Sequence, residues 1–476
     1  MNFRLTLRKY LRIKGVIWLL YAIFLINTLF FVEKDELILG VLFSGVMLQL
    51  TVVRFLNNWY KLNQPRLLDW FLLGTFVSIV FNFLSLVNVF EQYDTVTVNN
   101  VTDVGVDMVM PTLLVVLIGV LGLRLGEFLV LKRQFSKVFS KEYYVFRYRS
   151  VFFLTTLLLL SIQGYLLLNG IIGYGTYEEH TTGTYSFLLQ ILGLLNPFFL
   201  AIYAILKYIQ KYSDRVFNIL FLIYFITQIV FGFLSGMKEE IITPIIIVFI
   251  PYLIGGHEIS KKLIYISLVF IVLLYPINNN YRRVLNDNPG IEKTTAFQLG
   301  AFKLFNEGFI DGVTSGADSY QSRFSLFPIL MYSISEEDQW TDYKYLNRYV
   351  YLPVSWFVPR FILPDKPISN TGAKLNNMLS GNDRSSVTPS TYGWAFFEGG
   401  YVFVFISFLV FGMVISYVQK RVNKENLFHL VLYITILVSL LKIESDIYFR
   451  ISGLFQSIFV GYFVCLFFFK TKKYKL

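Results

Sequence analysis

Four carboxylates and a set of arginines are the residues of this 476-residue chain best suited to chemistry. Glu239, Glu398, Glu444 and Asp446 each stand where a long apolar run gives way to polar residues. An ionisable group beside or inside an apolar run is costly to keep there, so a functional role is the first reading for it. A carboxylate so placed can accept a proton from a reacting hydroxyl. The plain alternative is a helix-end charge at a polar boundary. Glu398 is the leading proton acceptor, in the stretch Tyr392-Gly-Trp-Ala-Phe-Phe-Glu398-Gly-Gly400, with Glu239 and Glu444 behind it.

The cations point to phosphate. Arg282, Arg283, Arg323, Arg348, Arg360 and Arg384, with Lys238 and Lys366, cluster in the same part of the chain as the carboxylates. A guanidinium presents a planar fork that matches phosphate oxygens, and a protein handling a diphosphate needs several such groups. Arg360 and Lys366 lie in Trp356-Phe-Val-Pro-Arg360-Phe-Ile-Leu-Pro-Asp-Lys366-Pro367, where prolines restrict the backbone. Six residues of polyproline II span about 19 Å. The two cations therefore serve two phosphate groups unless the segment bends. The competing reading is a pair of solvated charges near lipid headgroups.

Other chemistries are poorly supported. Cys465 is the one cysteine, which excludes a disulfide or a thiolate metal cluster within the chain. His180, His257 and His429 are far apart and none belongs to an HExxH pair. Neither a metal nor a cofactor is expected. The sequence has no P-loop, no GxSxG elbow and no Rossmann fingerprint.

The elements that must position these residues are membrane helices. Hydrophobic residues make up 55% of the chain and charged ones 15%, below the quarter or so of a soluble domain. Apolar runs near the ~20 residues that cross a bilayer recur from residue 15 to residue 469. They predict an all-α polytopic integral membrane protein with about twelve transmembrane helices, near 15–32, 37–56, 70–90, 108–130, 150–169, 185–206, 216–236, 240–256, 263–280, 393–418, 427–442 and 451–469. The first is read as an uncleaved helix, because Glu33, Lys34, Asp35 and Glu36 follow it rather than a small-residue cleavage site.

Charge sets the expected orientation. With the N-terminus inside, the cytoplasmic segments hold 25 Lys and Arg, and the short outer loops hold only Lys34, Lys238, Lys442 and Arg450. This asymmetry follows the positive-inside rule and puts both termini in the cytoplasm. It also accounts for the net charge of +11 without a nucleic-acid partner.

The predicted organisation has three parts: helices one to nine in 1–280, a large extracytoplasmic loop in 281–392, and helices ten to twelve in 393–476. The loop carries 11 basic and 11 acidic residues. A stretch of this length without structure would be unusual and points to function. Ala296 to Ile310 reads as an amphipathic helix lying on the bilayer or on the bundle, with Phe297, Ala301, Leu304, Phe305 and Phe309 on one face. Ser315 and Asp318 read as a capping box that starts a second helix, which Pro328 should kink or end.

With these residues in place, the chain resembles the Wzy-type polymerases of O-antigen and capsule repeat units. The resemblance rests on many helices, on a large outer loop before the last few of them, and on a loop phrase of the form Phe357-Val-Pro-Arg360-Phe-Ile-Leu-Pro364-Asp-Lys366-Pro367. The stretch Tyr392 to Gly400 and the turn Ser235-Gly-Met-Lys238-Glu239 add to it. It implies a glycosyltransferase of the bacterial cytoplasmic membrane that joins undecaprenyl-diphosphate-linked oligosaccharides, one as donor and one as acceptor. It implies catalytic roles for Glu398, Arg360 and Arg323, and diphosphate binding by Arg282, Arg283, Lys366, Arg384 and Lys238. Trp340, Trp356 and Trp394 would pack on sugar rings. Chain-length regulator and flippase proteins are the partners it suggests. A polysaccharide ligase shares this topology. A lipid-linked oligosaccharide flippase is the alternative from another class, and a non-catalytic assembly scaffold is a third.

Overall fold

A computed structural model describes residues 7–62, 65–98, 102–131, 142–169, 171–173, 185–257, 265, 276–285, 287–288, 291–306, 326–338, 358, 371–381, 387–422 and 426–473. Among them, nine helices are long and apolar enough to cross a membrane. The chain is thus an all-α polytopic membrane protein. Three of these helices are α1 (Leu7–Phe31), α2 (Asp35–Lys61) and α3 (Leu67–Tyr93). They are followed by α4 (Val109–Leu131), α5 (Arg149–Leu168), α6 (Tyr185–Tyr208), α7 (Arg215–Ser235) and α8 (Lys238–Ile254). Shorter helices α9 (Lys293–Asn306), α10 (Leu326–Ser335), α11 (Thr371–Ser380) and α12 (Ser390–Phe397) precede α13 (Gly400–Arg421), α14 (Leu427–Leu441) and α15 (Ile447–Phe468).

Eleven of the twelve expected helices have a counterpart here, and one of them, 393–418, is divided at Glu398–Gly399 into α12 and α13. The predicted helix at 240–256 appears as the 17-residue α8, with Pro244 and Pro251 inside it. The predicted helix at 263–280 falls mostly outside the described residues. The first helix begins at Leu7, eight residues before its apolar run. Its basic first turns can continue the helix because long cationic side chains reach back to the interface from a helical backbone. Leu19, Leu20, Phe30 and Phe31 of α1 are exposed, as a lipid-facing helix requires.

Two short antiparallel sheets join the helices, which the apolar periodicity gave no reason to expect. β1 (Thr95–Val98) pairs with β2 (Thr102–Gly105) between α3 and α4. β3 (Glu142–Phe146) pairs with β4 (Phe469–Lys473), tying the start of α5 to the end of α15 at the opposite end of the bundle.

Packing divides the interior into two apolar regions. One is built from α2, α3, α4, α10, α12 and α13, with Phe71, Phe83, Phe327, Tyr392 and Phe408 at its centre. The other is built from α5, α6, α7, α14 and α15 around Phe152, Tyr203, Phe217 and Tyr224. Helices α4 and α13 cross closely. A Cβ on Gly122 would stand 2.6 Å from the Phe405 carbonyl oxygen. Small residues of this kind let membrane helices approach backbone to backbone.

Most of the described part of the 281–392 segment is helical. In α9, Ala296 and Gly300 face inward, and Phe297 packs edge-on against Phe233 and Tyr281. This helix lies on the bundle. Pro328 neither ends nor breaks α10. The helix continues past it to Ser335, and Ser315 and Asp318 lie outside the described residues.

Candidate functional site

The ends of α5, α7, α8 and α14 nearest the 281–392 segment enclose the most site-like part of the molecule. Gly236 takes the left-handed conformation (φ 68°) and stops α7, and α8 starts two residues later. This turn is held from the 281–392 side. Arg282 donates through Nε to the Gly236 carbonyl at 2.7 Å, and Tyr281 donates to the Leu234 carbonyl at 2.7 Å. Lys293, in the first turn of α9, donates to the Ile172 carbonyl just beyond α5 at 2.5 Å. Burial of its ammonium lowers the Lys293 pKa to about 8.

Glu239, in the first turn of α8, forms an ion pair with Lys442 at the end of α14. Arg450, in the first turn of α15, is buried and closes the 439–446 turn from below. Its guanidinium donates to the carbonyls of Ser439 (2.6 Å), Ser445 (3.1 Å) and Lys442, and to Thr391 Oγ1 (3.4 Å). With so few of its five N–H groups left over, Arg450 holds backbone rather than ligand. Thr391 in turn donates to the Ile443 carbonyl at 2.7 Å. The start of α12 is thereby pinned to the α14–α15 turn.

Two adjoining cavities lie below this rim. The larger, about 410 Å³, is lined by residues of α5, α6, α7 and α8, and by Lys442. The smaller, about 240 Å³, reaches between α6, α13, α14 and α15 to Arg450. Gly193, Pro197, Thr243, Ile247 and Lys442 line both. The volume falls in the range of small-molecule sites. The ionisable side chains lining the larger cavity are Glu239, Glu240 and Lys442, at its rim. Its floor is apolar except for a string of neutral polar groups. Tyr224 donates to Asn196 Oδ1 at 3.0 Å, Asn196 donates to Gln163 Oε1 at 2.7 Å, and Gln228 donates to the same oxygen at 2.8 Å.

The structure brings together some of the residues singled out from sequence and not others. Glu239 lines the larger cavity, and Arg282 holds the Gly236 turn that precedes α8. Arg283 is exposed on the same helical turn. Glu444 is exposed in the α14–α15 turn, where its carbonyl accepts a hydrogen bond from Thr388 at 2.7 Å. Asp446 caps α15 by accepting from the Tyr448 N–H at 3.0 Å, a structural role. Glu398 is fully buried at the end of α12 and is not among the residues lining either cavity. It follows Thr391 by seven residues, about 10 Å of helical rise. Trp394 is buried in the first apolar region. Arg323, Trp340, Arg348, Trp356, Arg360, Lys366 and Arg384 lie outside the described residues, as does the side chain of Lys238.

A second polar cluster, which the sequence reading passed over, sits at the opposite end of the bundle. Asp69 and Glu127 are buried with Arg124 between them, at 3.1 Å and 2.7 Å. Arg66 pairs with Glu127 at 2.7 Å and Arg54 with Glu127 at 3.2 Å. Asn58 donates to Asp69 at 2.7 Å. Every carboxylate oxygen here has a cation or an amide against it, which is how buried charges persist. The cluster ties α2, α3 and α4 together. Arg124 and Glu127 stand three residues apart inside the apolar run of α4, and that spacing was the available signal.

No protein-family model, no curated protein and no solved structure matches this chain.

Proposed function

We propose that this protein polymerises lipid-diphosphate-linked oligosaccharide repeat units on the outer face of a bacterial cytoplasmic membrane. The reading takes the Lys and Arg asymmetry at face value: twelve spans, both termini inside and residues 281–392 outside. One observation supports it above the others. A cavity of about 410 Å³ lies between helices with a neutral hydrogen-bonding floor, and a rim that carries Glu239, Glu240 and Lys442. Arg282 and Lys293 flank that rim through Gly236 and Ile172. A charged rim beside a neutral hydrogen-bonding floor offers separate places for an ionic group and for an uncharged sugar ring.

In the proposed reaction an acceptor hydroxyl attacks the anomeric carbon of the donor sugar. The bond from that carbon to the diphosphate oxygen breaks, and the lipid diphosphate leaves with the electron pair. Its developing charge is stabilised by the cations flanking the rim, joined by those of the Arg360–Lys366 phrase. The hydroxyl proton passes to a carboxylate. Glu239 is better placed than Glu398 for that step, because Glu239 lines the cavity. A polysaccharide ligase would use the same groups on a different acceptor. A flippase would need ionisable groups deep along a central path. The charged side chains of the cavity stand at its rim instead, which favours chemistry on one face.

The test is the glycan left by cells without the protein. Loss of a polymerase leaves single repeat units on the outer face. Single units trapped on the inner face would overturn the reading in favour of a flippase.

A further inference from the structure

We infer that the amides of Gln163, Asn196 and Gln228 form a subsite for one neutral sugar residue within the larger cavity. This rests on the reading of the same cavity as a glycan site, and goes further by naming where an uncharged ring is held and by which atoms.

The three amides have more hydrogen-bonding capacity than their mutual bonds use. The Tyr224 hydroxyl donates to Asn196 Oδ1, and the Asn196 nitrogen faces Gln163. Gln163 Oε1 then accepts from both Asn196 and Gln228. That leaves the NH₂ of Gln163 and the oxygen of Gln228 with no partner among the described residues. Both side chains are only 8% exposed, and both line the cavity. An amide valence that opens onto the cavity is available to a bound ligand. Two of them side by side, one donor and one acceptor, are complementary to a ligand that both accepts and donates.

Chemistry narrows the ligand. The floor around these amides carries no charged side chain, so an ionised group would be stranded there without a counter-charge. A lipid tail would fill the volume but leave both amide valences open. A ring bearing several hydroxyls or an N-acyl group meets the donor and the acceptor together. The remaining wall of Leu167, Leu189, Leu192, Leu200, Phe231 and Ile247 suits its apolar faces. Gly193, whose Cβ would meet nothing within 4 Å, keeps the junction with the smaller cavity open.

The test uses the full-length protein in nanodiscs with D-glucose, N-acetyl-D-glucosamine and D-glucuronate as probes. Binding is read by saturation-transfer NMR from protein to sugar. A neutral sugar should receive saturation from the wild type, and D-glucuronate should not. The double variant Gln163→Met/Gln228→Met replaces both amides with apolar chains of similar length, so it should fold. It should weaken neutral-sugar binding about tenfold or more. If the double variant does not fold, Gln228→Met alone retains the Asn196–Gln163 bond and should still weaken binding. No transfer to either neutral sugar from the wild type, as expected for a cavity holding only water or lipid, would overturn the inference. So would equal transfer from wild type and variant. The measurement needs no lipid-linked donor and no turnover. A negative result beside normal polymer in cells removes the subsite and leaves the polymerase reading standing.

Discussion

Lys442 at the end of α14 is ion-paired with Glu239 in the first turn of α8, across the mouth of two cavities that both residues or one of them line. The Glu239 side chain is 58% exposed and that of Lys442 is 35% exposed. Such a pair contributes at most about 1 kcal/mol to stability. Its value to the protein is therefore expected in function. Glu239→Gln should leave the thermal midpoint of the purified protein nearly unchanged while lowering polymer synthesis about 10²–10⁴-fold, the range for a lost general base. Glu398→Gln, made in parallel, should affect folding yield more than rate at constant folded protein. Measured glycan chain length at matched expression distinguishes them. Full-length polymer from Glu239→Gln would transfer the proton-accepting role elsewhere.

The buried cluster at the opposite end makes a contrasting prediction. Glu127 faces Arg54, Arg66 and Arg124, and removing its charge leaves buried guanidinium groups uncompensated. Glu127→Ala should destabilise the protein by about 3–5 kcal/mol. The double variant Glu127→Gln/Arg124→Met should be less destabilised than the sum of its singles. Thermal unfolding in a single detergent would measure both. Additive losses would mean that the two side chains act separately.

Lys293 gives a pH dependence with a definite sign. Its folded pKa of about 8 lies below the unfolded value near 10.5, because burial disfavours the ammonium. Between these values the unfolded chain binds more protons, so stability rises with pH. Wild-type stability relative to Lys293→Met should therefore increase from pH 8 towards pH 10.5. Below pH 8 the difference should be flat. Melting curves across pH 7 to 10.5 would check this, and a difference that falls with rising pH would contradict it.

At the α4–α13 crossing, Gly122→Ala drives a methyl group onto the Phe405 carbonyl oxygen, with only 2.6 Å available. Overpacking of this kind costs about 1–3 kcal/mol. The variant should show reduced thermal stability and reduced yield, whereas Gly15→Ala, which meets nothing, should not.

The sequence made the membrane architecture legible because a spanning helix writes itself as a continuous apolar run. Ends were less so: Arg8, Lys9 and Arg12 continue α1 although they interrupt its apolar pattern. The rim was half legible. Glu239 stood out as a charge beside an apolar run, and Arg282 as one of a pair. The importance of Lys442 and Arg450 emerged only when the α14–α15 turn folded back on itself. Gln163, Asn196 and Gln228 were not legible at all. Each is a lone amide in an apolar helix, separated from the others by dozens of residues, and only tertiary packing makes them one group.

Reconstitution isolates glycosyl transfer from the rest of the cell. Purified protein in liposomes would be given a synthetic undecaprenyl-diphosphate oligosaccharide, and the products read by mass spectrometry. A polymerase should make chains of two or more repeat units with one lipid diphosphate released per bond formed, and Glu239→Gln should lose both. Oligosaccharide that crosses the liposome membrane with no new glycosidic bond would contradict the polymerase reading.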